Sequence, residues 1–250
     1  MAWPSDGYVY VPDEEVGPLS QACTGAVVCN KDRTPPWIVV DHSIADVIVA
    51  RWPGKLWRVT NIDAEGIEQA SQHAHYTRAM AVTVCEEVPA SRLFGEHGAA
   101  VCSIITIASQ LDSDLVQALA ASRHPDAGDA FSRAWVQWLA ELGRSSDHLR
   151  QNCSRTLAIG GPGKRSPINC GFTVLHRVIW ERADSVVGST AFLDDEEGEK
   201  FLEPTWASTS NAMSEAAMAM GAPMLSGTHD RLILLAAWRA VFGDSTECTF

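Results

Sequence analysis

The sequence predicts an α+β protein, with a small strand-bearing N-terminal third packed on a mostly helical C-terminal part. Up to about residue 88, apolar residues come in short runs bounded by Pro, Gly and Asp, as strands do. From about residue 90 they recur at the 3.6-residue period of helices and keep doing so. With 250 residues and 46% hydrophobic content, the chain can also bury a sizeable core. We read residues 1–90 as the small α+β portion and 91–250 as the helical portion. The lack of a flexible linker predicts one integrated globular body.

Tyr8–Val11 and Trp37–Val40 are the first two strand-like runs. Ser43 opens a short helix with Asp46 as its capping-box partner, and Trp52-Pro53-Gly54 ends it. Leu56–Ile62 alternates as a strand with Trp57, Val59 and Asn61 on one face, and residues 76–84 form another. Ala99–Leu111 then reads as a helix, followed by one whose start carries Asp112 and Asp114, as the positive end of its dipole favours. Phe131, Trp135, Trp138 and Leu142 make an apolar stripe. A helix is expected at 146–158, ended by Gly160-Gly161-Pro162-Gly163, and a long one at 168–187 with Phe172, Leu175 and Ile179 inward. Pro204 opens a helix that stops at Gly221-Ala222-Pro223, and Leu232–Phe242 reads as a central buried helix. Residues 244–250 read as a frayed tail.

Net charge is −12, which argues against nucleic acid and against an anionic membrane surface as partners. No apolar run reaches the roughly 20 residues of a membrane span. Seven scattered cysteines without a C-x-x-C pair, and an N-terminus without a leader pattern, predict free thiols in a reducing cytoplasm.

The densest chemistry lies at His73-Ala74-His75-Tyr76-Thr77-Arg78. On a continuous strand, Tyr76 and Arg78 share a face with Met80, Val82 and Val84, at the rim of the core. Arg78 then offers a bidentate fork to an anion, Tyr76 a hydroxyl to a developing oxyanion, and Trp57 a further binding surface. An Arg–carboxylate tie at the strand end is the competing account. His73 and His75 could face a metal together, but no third ligand is evident and we assign none. His97, after Gly95, sits at a helix start suited to a neutral base or an anion. His176 and Arg182 lie at the edge of the long helix's apolar stripe, beside an Arg177–Glu181 pair expected to be solvated. The candidates are therefore His97, His176 and Tyr76 for catalysis, and Arg78, Arg182 and Trp57 for substrate binding.

The other motifs are weaker. Asp194-Asp195-Glu196-Glu197-Gly198-Glu199 fits no EF-hand spacing and reads as a solvated helix start. Gly160–Ser166 departs from a P-loop: Ala158 stands at the first glycine and Arg165 at the Ser/Thr place. It reads as a surface loop whose Lys164 and Arg165 could close over an anion. No nucleophile elbow and no dinucleotide fingerprint occurs, so no cofactor is assigned. Cys85 and Cys102 read as inert.

The phrases Trp52-Pro-Gly-Lys-Leu-Trp-Arg-Val59, Tyr76-Thr-Arg78, Leu93-Phe-Gly-Glu-His-Gly98 and Ala219-Met-Gly-Ala-Pro223 are similar to those of uncharacterised proteins from high-GC actinomycetes. The resemblance spans most of the chain and implies a role in specialised metabolism. Two functions are expected on these residues. One is a cofactor-independent enzyme acting on a small polar, anionic molecule by elimination, cyclisation or hydrolysis. The other is a non-catalytic ligand-binding or partner protein, for which the nine Trp supply a contact surface to a second copy or another chain.

Overall fold

In the strand-bearing part, runs of alternating apolar residues pair across long stretches of sequence, and a single residue decides how the sheet closes. The computed structural model describes residues 5–30, 34–49, 51–65, 67, 75–141 and 167–243. The expected helix at 146–158, the loop at 160–166, His73, Leu142 and the tail lie outside them. The chain divides into two compact units, Met1–Leu93 with Gly163–Cys170, and Phe94–Pro162 with Gly171–Phe250. The first is strand-bearing and the second helical, consistent with the α+β class.

The strand unit holds β1 (Asp6–Pro12), β2 (Val27–Cys29), β3 (Ile38–Asp41), β4 (Gly54–Asp63), β5 (Tyr76–Ala79) and β6 (Ala81–Val88). Their order in the sheet is β2-β6-β4-β1-β3-β5, with every neighbouring pair antiparallel. Only Met80 separates β5 from β6, although β4, β1 and β3 lie between them in the sheet. Laid flat, those strands would be about 19 Å apart, at ~4.8 Å per strand. One intervening residue spans no more than about 7 Å. The sheet therefore rolls on itself, and Met80 ties the seam: its N–H donates to the Asp63 carbonyl and its carbonyl accepts from Asn30 N–H, at 2.7 and 2.6 Å. Val9, Val11, Val28, Val40, Trp57, Val59, Ala79, Val82 and Val84 fill the inside. Gly7 lets β1 lie tight on β3, since a Cβ there would meet the Asp41 carbonyl oxygen at 2.6 Å.

This rolled sheet corrects three sequence readings. Residues 76–84 are two strands. The bend at Met80 shifts the alternation by one, so that Thr77 and Ala79 before it and Val82 and Val84 after it are the fully buried residues. Tyr76 and Arg78 consequently stand on the face away from the core. Asn61 leaves the Trp57–Val59 face, because the β4–β6 register slips between Thr60 and Asp63 and Asn61 takes a φ of 49°.

Among the described residues the helical unit contains α1 (Gly98–Ala108), α2 (Ser113–Ser122), α3 (Ala127–Glu141), α5 (Pro204–Gly221), α6 (Thr228–Leu234) and α7 (Ala236–Phe242). Helix α4 (Pro167–Val187) begins before the division and continues in this unit from Gly171. Asp112 caps α2, its carboxylate accepting from Leu115 N–H at 2.9 Å, and Pro204 opens α5 behind the capping carboxylate of Glu203. Ile104, Ile105, Leu119, Leu175, Ile179, Met213, Met218 and Leu234 are fully buried. The expected single helix at 232–242 is two short ones meeting at Leu235, and Leu232 and Arg239 are exposed. The acidic run at 194–199 starts no helix. It is the turn of a hairpin between β7 (Phe192–Asp194) and β8 (Lys200–Leu202), where Asp195 Oδ1 accepts from Glu197 and Glu199 N–H and Gly198 supplies the positive φ. Among the described residues, no helix is long and apolar enough to cross a membrane.

Candidate functional site

Antiparallel pairing of β3 with β5 sets Asp41 opposite Tyr76, so the residues that leave β3 meet those that enter β5. The His42 N–H donates to the His75 carbonyl at 2.9 Å and fixes this junction. Three side-chain assemblies gather on it.

The first is His75 with Asp46 and Ser43. His75 Nδ1 lies 3.0 Å from Asp46 Oδ1, and Ser43 Oγ donates to Asp46 Oδ2 at 2.7 Å. Ser43 precedes one turn of 3₁₀ helix (Ile44–Asp46), and Asp46 is its last residue. The spacing read as a capping box has its hydroxyl on the carboxylate and makes no side-chain cap bond to the backbone. The Asp46 side chain is 15% exposed and the His75 ring 45%, so a fixed carboxylate backs an open imidazole. A carboxylate at Nδ1 holds an imidazole in one orientation and stabilises its charged form.

The second is His42 with Thr77, Nε2 to Oγ1 at 2.9 Å. Thr77 is fully buried, so this pair pins the strand and offers no open hydroxyl. The third is Tyr76 with Arg78, both half-buried, the guanidinium carbon lying 5.8 Å from the centre of the phenol ring. That is a cation–π contact in which the ring orients the cation. Of the expected site residues, these two are brought together, on the outer face.

Trp57 lies inside the sheet, 3% exposed. The remaining expected residues belong to the helical unit. His97 holds the N-cap position of α1, half-buried, with no side-chain cap bond. His176 on α4 keeps an exposed surface, and its ring centre lies 5.9 Å from that of Trp180. Protein crowding on the inner side of the ring strips water and pushes its pKa down. Arg182 Nε donates to the Leu111 carbonyl at 2.6 Å, a bond that ties α4 to the end of the α1 segment. Among the described residues, no hydrogen bond or ion pair joins His97, His176 and Arg182 to one another. Arg177 and Glu181 form the exposed i, i+4 pair, at 2.8 Å. Burial pushes the Cys102 thiol up to about 11, which keeps it protonated and unreactive.

Two groups of polar residues escaped the sequence reading. His42, Ser43 and Asp46 carried no signal as site residues, because what joins them to His75 and Thr77 is the β3–β5 pairing. The other is Arg123 with Glu215, 92 positions apart, in which the guanidinium Nε and Nη2 both donate to Oε1, the former at 2.8 Å. Glu215 is 3% exposed, and burial pushes its carboxyl pKa up against the opposing pull of Arg123. Nearby on α5, the buried Thr209 donates to the Val116 carbonyl at 2.9 Å. Among the described residues, no three His, Cys, Asp or Glu side chains gather as metal ligands would.

No protein family, no curated protein and no solved structure matches this chain.

Proposed function

We propose that the chain is a cofactor-independent enzyme acting on a small anionic metabolite by acid/base chemistry, with His75 as the proton-transfer group. The single observation that carries this reading is the 3.0 Å contact of His75 Nδ1 with an Asp46 carboxylate that Ser43 also holds. An imidazole so oriented can serve as base or acid, and the carboxylate stabilises the imidazolium formed on the way. Arg78 and Tyr76, on the strand that follows directly, supply a cation and a phenol for the negative charge of substrate or intermediate. Elimination, cyclisation and hydrolysis all fit, since each moves a proton while a negative charge is held. The scattered cysteines and the sequence resemblance support placing this activity in the specialised metabolism of the cytoplasm.

The test is to incubate the full chain with small carboxylates, sulfate esters and phosphate esters and read products by mass spectrometry. We expect conversion within one of these classes, slowed about 10²- to 10⁴-fold by His75→Gln, the usual worth of a positioned acid or base. Undiminished conversion in His75→Gln overturns the role of His75. A wild-type chain that converts none of the panel overturns the enzyme reading.

A second reading, a partner protein, is favoured by one observation. Val136 on α3, Met224 after α5 and Leu232 on α6 are 45%, 55% and 51% exposed. Gln137 Nε2 donates to the Met224 carbonyl at 3.4 Å, which brings α3 and the Met224 segment together. Light scattering across concentration distinguishes self-association through such a surface from a monomer.

A further inference from the structure

We propose that the outer face of the β7–β8 hairpin, in the helical unit, docks a segment of a partner protein that combines Lys or Arg with apolar side chains. Leu193 and Phe201 are direct cross-strand partners, so both point to the same face. Each is 44% exposed. Their neighbours along the strands turn the other way. There the Phe192 ring centre lies 4.7 Å from that of Trp180 on α4, and Leu202 is buried. One face thus anchors the hairpin, while the other presents an aliphatic–aromatic pair. Covering that pair removes apolar surface from water, and a few such side chains can carry most of the energy of an interface.

The charge of the partner follows from the turn that joins the two strands. Asp194, Asp195, Glu196, Glu197 and Glu199 are all exposed there, against the single cation of Lys200. Asp195 accepts from backbone N–H groups of the turn. Among the described residues, no ion pair holds the other four carboxylates. An acidic rim beside an apolar pair attracts Lys and Arg and turns away an anionic partner. It equally repels a second hairpin of its own kind, in a chain of net charge −12, so the occupant is a different protein. This surface is independent of His75 chemistry: it predicts docking whether or not the chain is an enzyme.

The experiment selects a phage-displayed random-peptide library on the full chain and measures synthetic copies of the enriched peptides by fluorescence anisotropy. We expect peptides that join Lys or Arg to aliphatic or aromatic residues, with binding that weakens as salt rises. Phe201→Ser should weaken that binding about tenfold, the ratio that 1.4 kcal/mol gives, with a melting temperature close to wild type. Glu196→Gln combined with Glu197→Gln, in the exposed turn, should weaken it about threefold. A library that yields no binder overturns the proposal. So do enriched peptides that are acidic, or that bind Phe201→Ser as tightly as wild type. A Phe201→Ser chain that melts far below wild type or fails to fold also overturns it, since the chain itself would then cover the pair. Self-association of the wild type that Phe201→Ser abolishes does the same, since the occupant would then be a second copy.

Discussion

Two polar assemblies, one in each unit, use similar chemistry to opposite ends. In the helical unit Arg123 and Glu215 form a closed pair, with side chains 26% and 4% exposed. In the strand unit Asp46 is held by Ser43 at 15% exposure and backs a His75 ring that is 45% exposed. A buried pair has little to exchange with solvent or substrate, and its worth lies in not leaving a charge stranded. A fixed carboxylate behind an open imidazole can pass a proton on. Exposure of the outer partner, more than the identity of the charges, separates a structural ion pair from a candidate catalytic one.

Perturbing each assembly sharpens that contrast. The largest effect expected is the loss of about 10²- to 10⁴-fold in turnover for His75→Gln, with a melting temperature close to wild type, because the open ring can be replaced without opening the core. If His75→Gln instead melts far below wild type, the two assemblies are alike and both are structural.

Next is Glu215→Ala, which strands Arg123. We expect a cost of about 3 kcal/mol, the lower end for breaking a buried pair. At ~2–4 °C per kcal/mol this lowers the melting temperature by roughly 6–12 °C. A loss below ~1 kcal/mol, as for exposed pairs, would place Arg123–Glu215 with the surface bridges.

The pH dependence of that pair has a definite sign. The folded state holds the Glu215 proton more tightly than the unfolded chain, because burial outweighs Arg123. The protonated carboxyl therefore contributes stability at low pH, and the contribution is lost as pH rises from the ordinary carboxyl value of 4.5 through the raised one. Subtracting denaturation curves of Glu215→Gln from wild type at successive pH values isolates it. A difference that grows in favour of wild type over that window contradicts the assignment.

Thr77→Val removes the hydroxyl that His42 holds inside the sheet, and should cost about 1 kcal/mol in urea denaturation, a typical net hydrogen bond. The smallest effect is expected from Arg177→Ala. It breaks an exposed i, i+4 pair and should change stability by less than ~0.5 kcal/mol.

What was legible in the sequence was local. The cap of α2 by Asp112 and the start of α5 at Pro204 are decided within one helical turn, and both were readable. The acidic stretch at Asp195 was misread, because an acidic helix start and a hairpin turn share their composition. Only the pairing of Phe192 with Leu202 distinguishes them. The 76–84 run shows unbroken alternation, so nothing in it announces the bend at Met80. Its two halves pair with β3 and with β2 and β4, and those partners impose the break. Of the candidate site, Tyr76 and Arg78 were found from their residue types. His42 and Asp46 were missed because their partners lie about thirty positions away, brought near only by the β3–β5 ladder, and Ser43 because it acts through Asp46.

By itself, then, the sequence determined the α+β class, the change from strands to helices near residue 90, and the capping of individual helices. Periodicity and capping are properties of neighbouring residues. Only the tertiary structure decided which way Tyr76 and Arg78 face, which carboxylate backs His75, and that Trp57 is enclosed. Each of these depends on the register of strands far apart in the chain, and a shift of one residue in that register exchanges the two faces of the sheet.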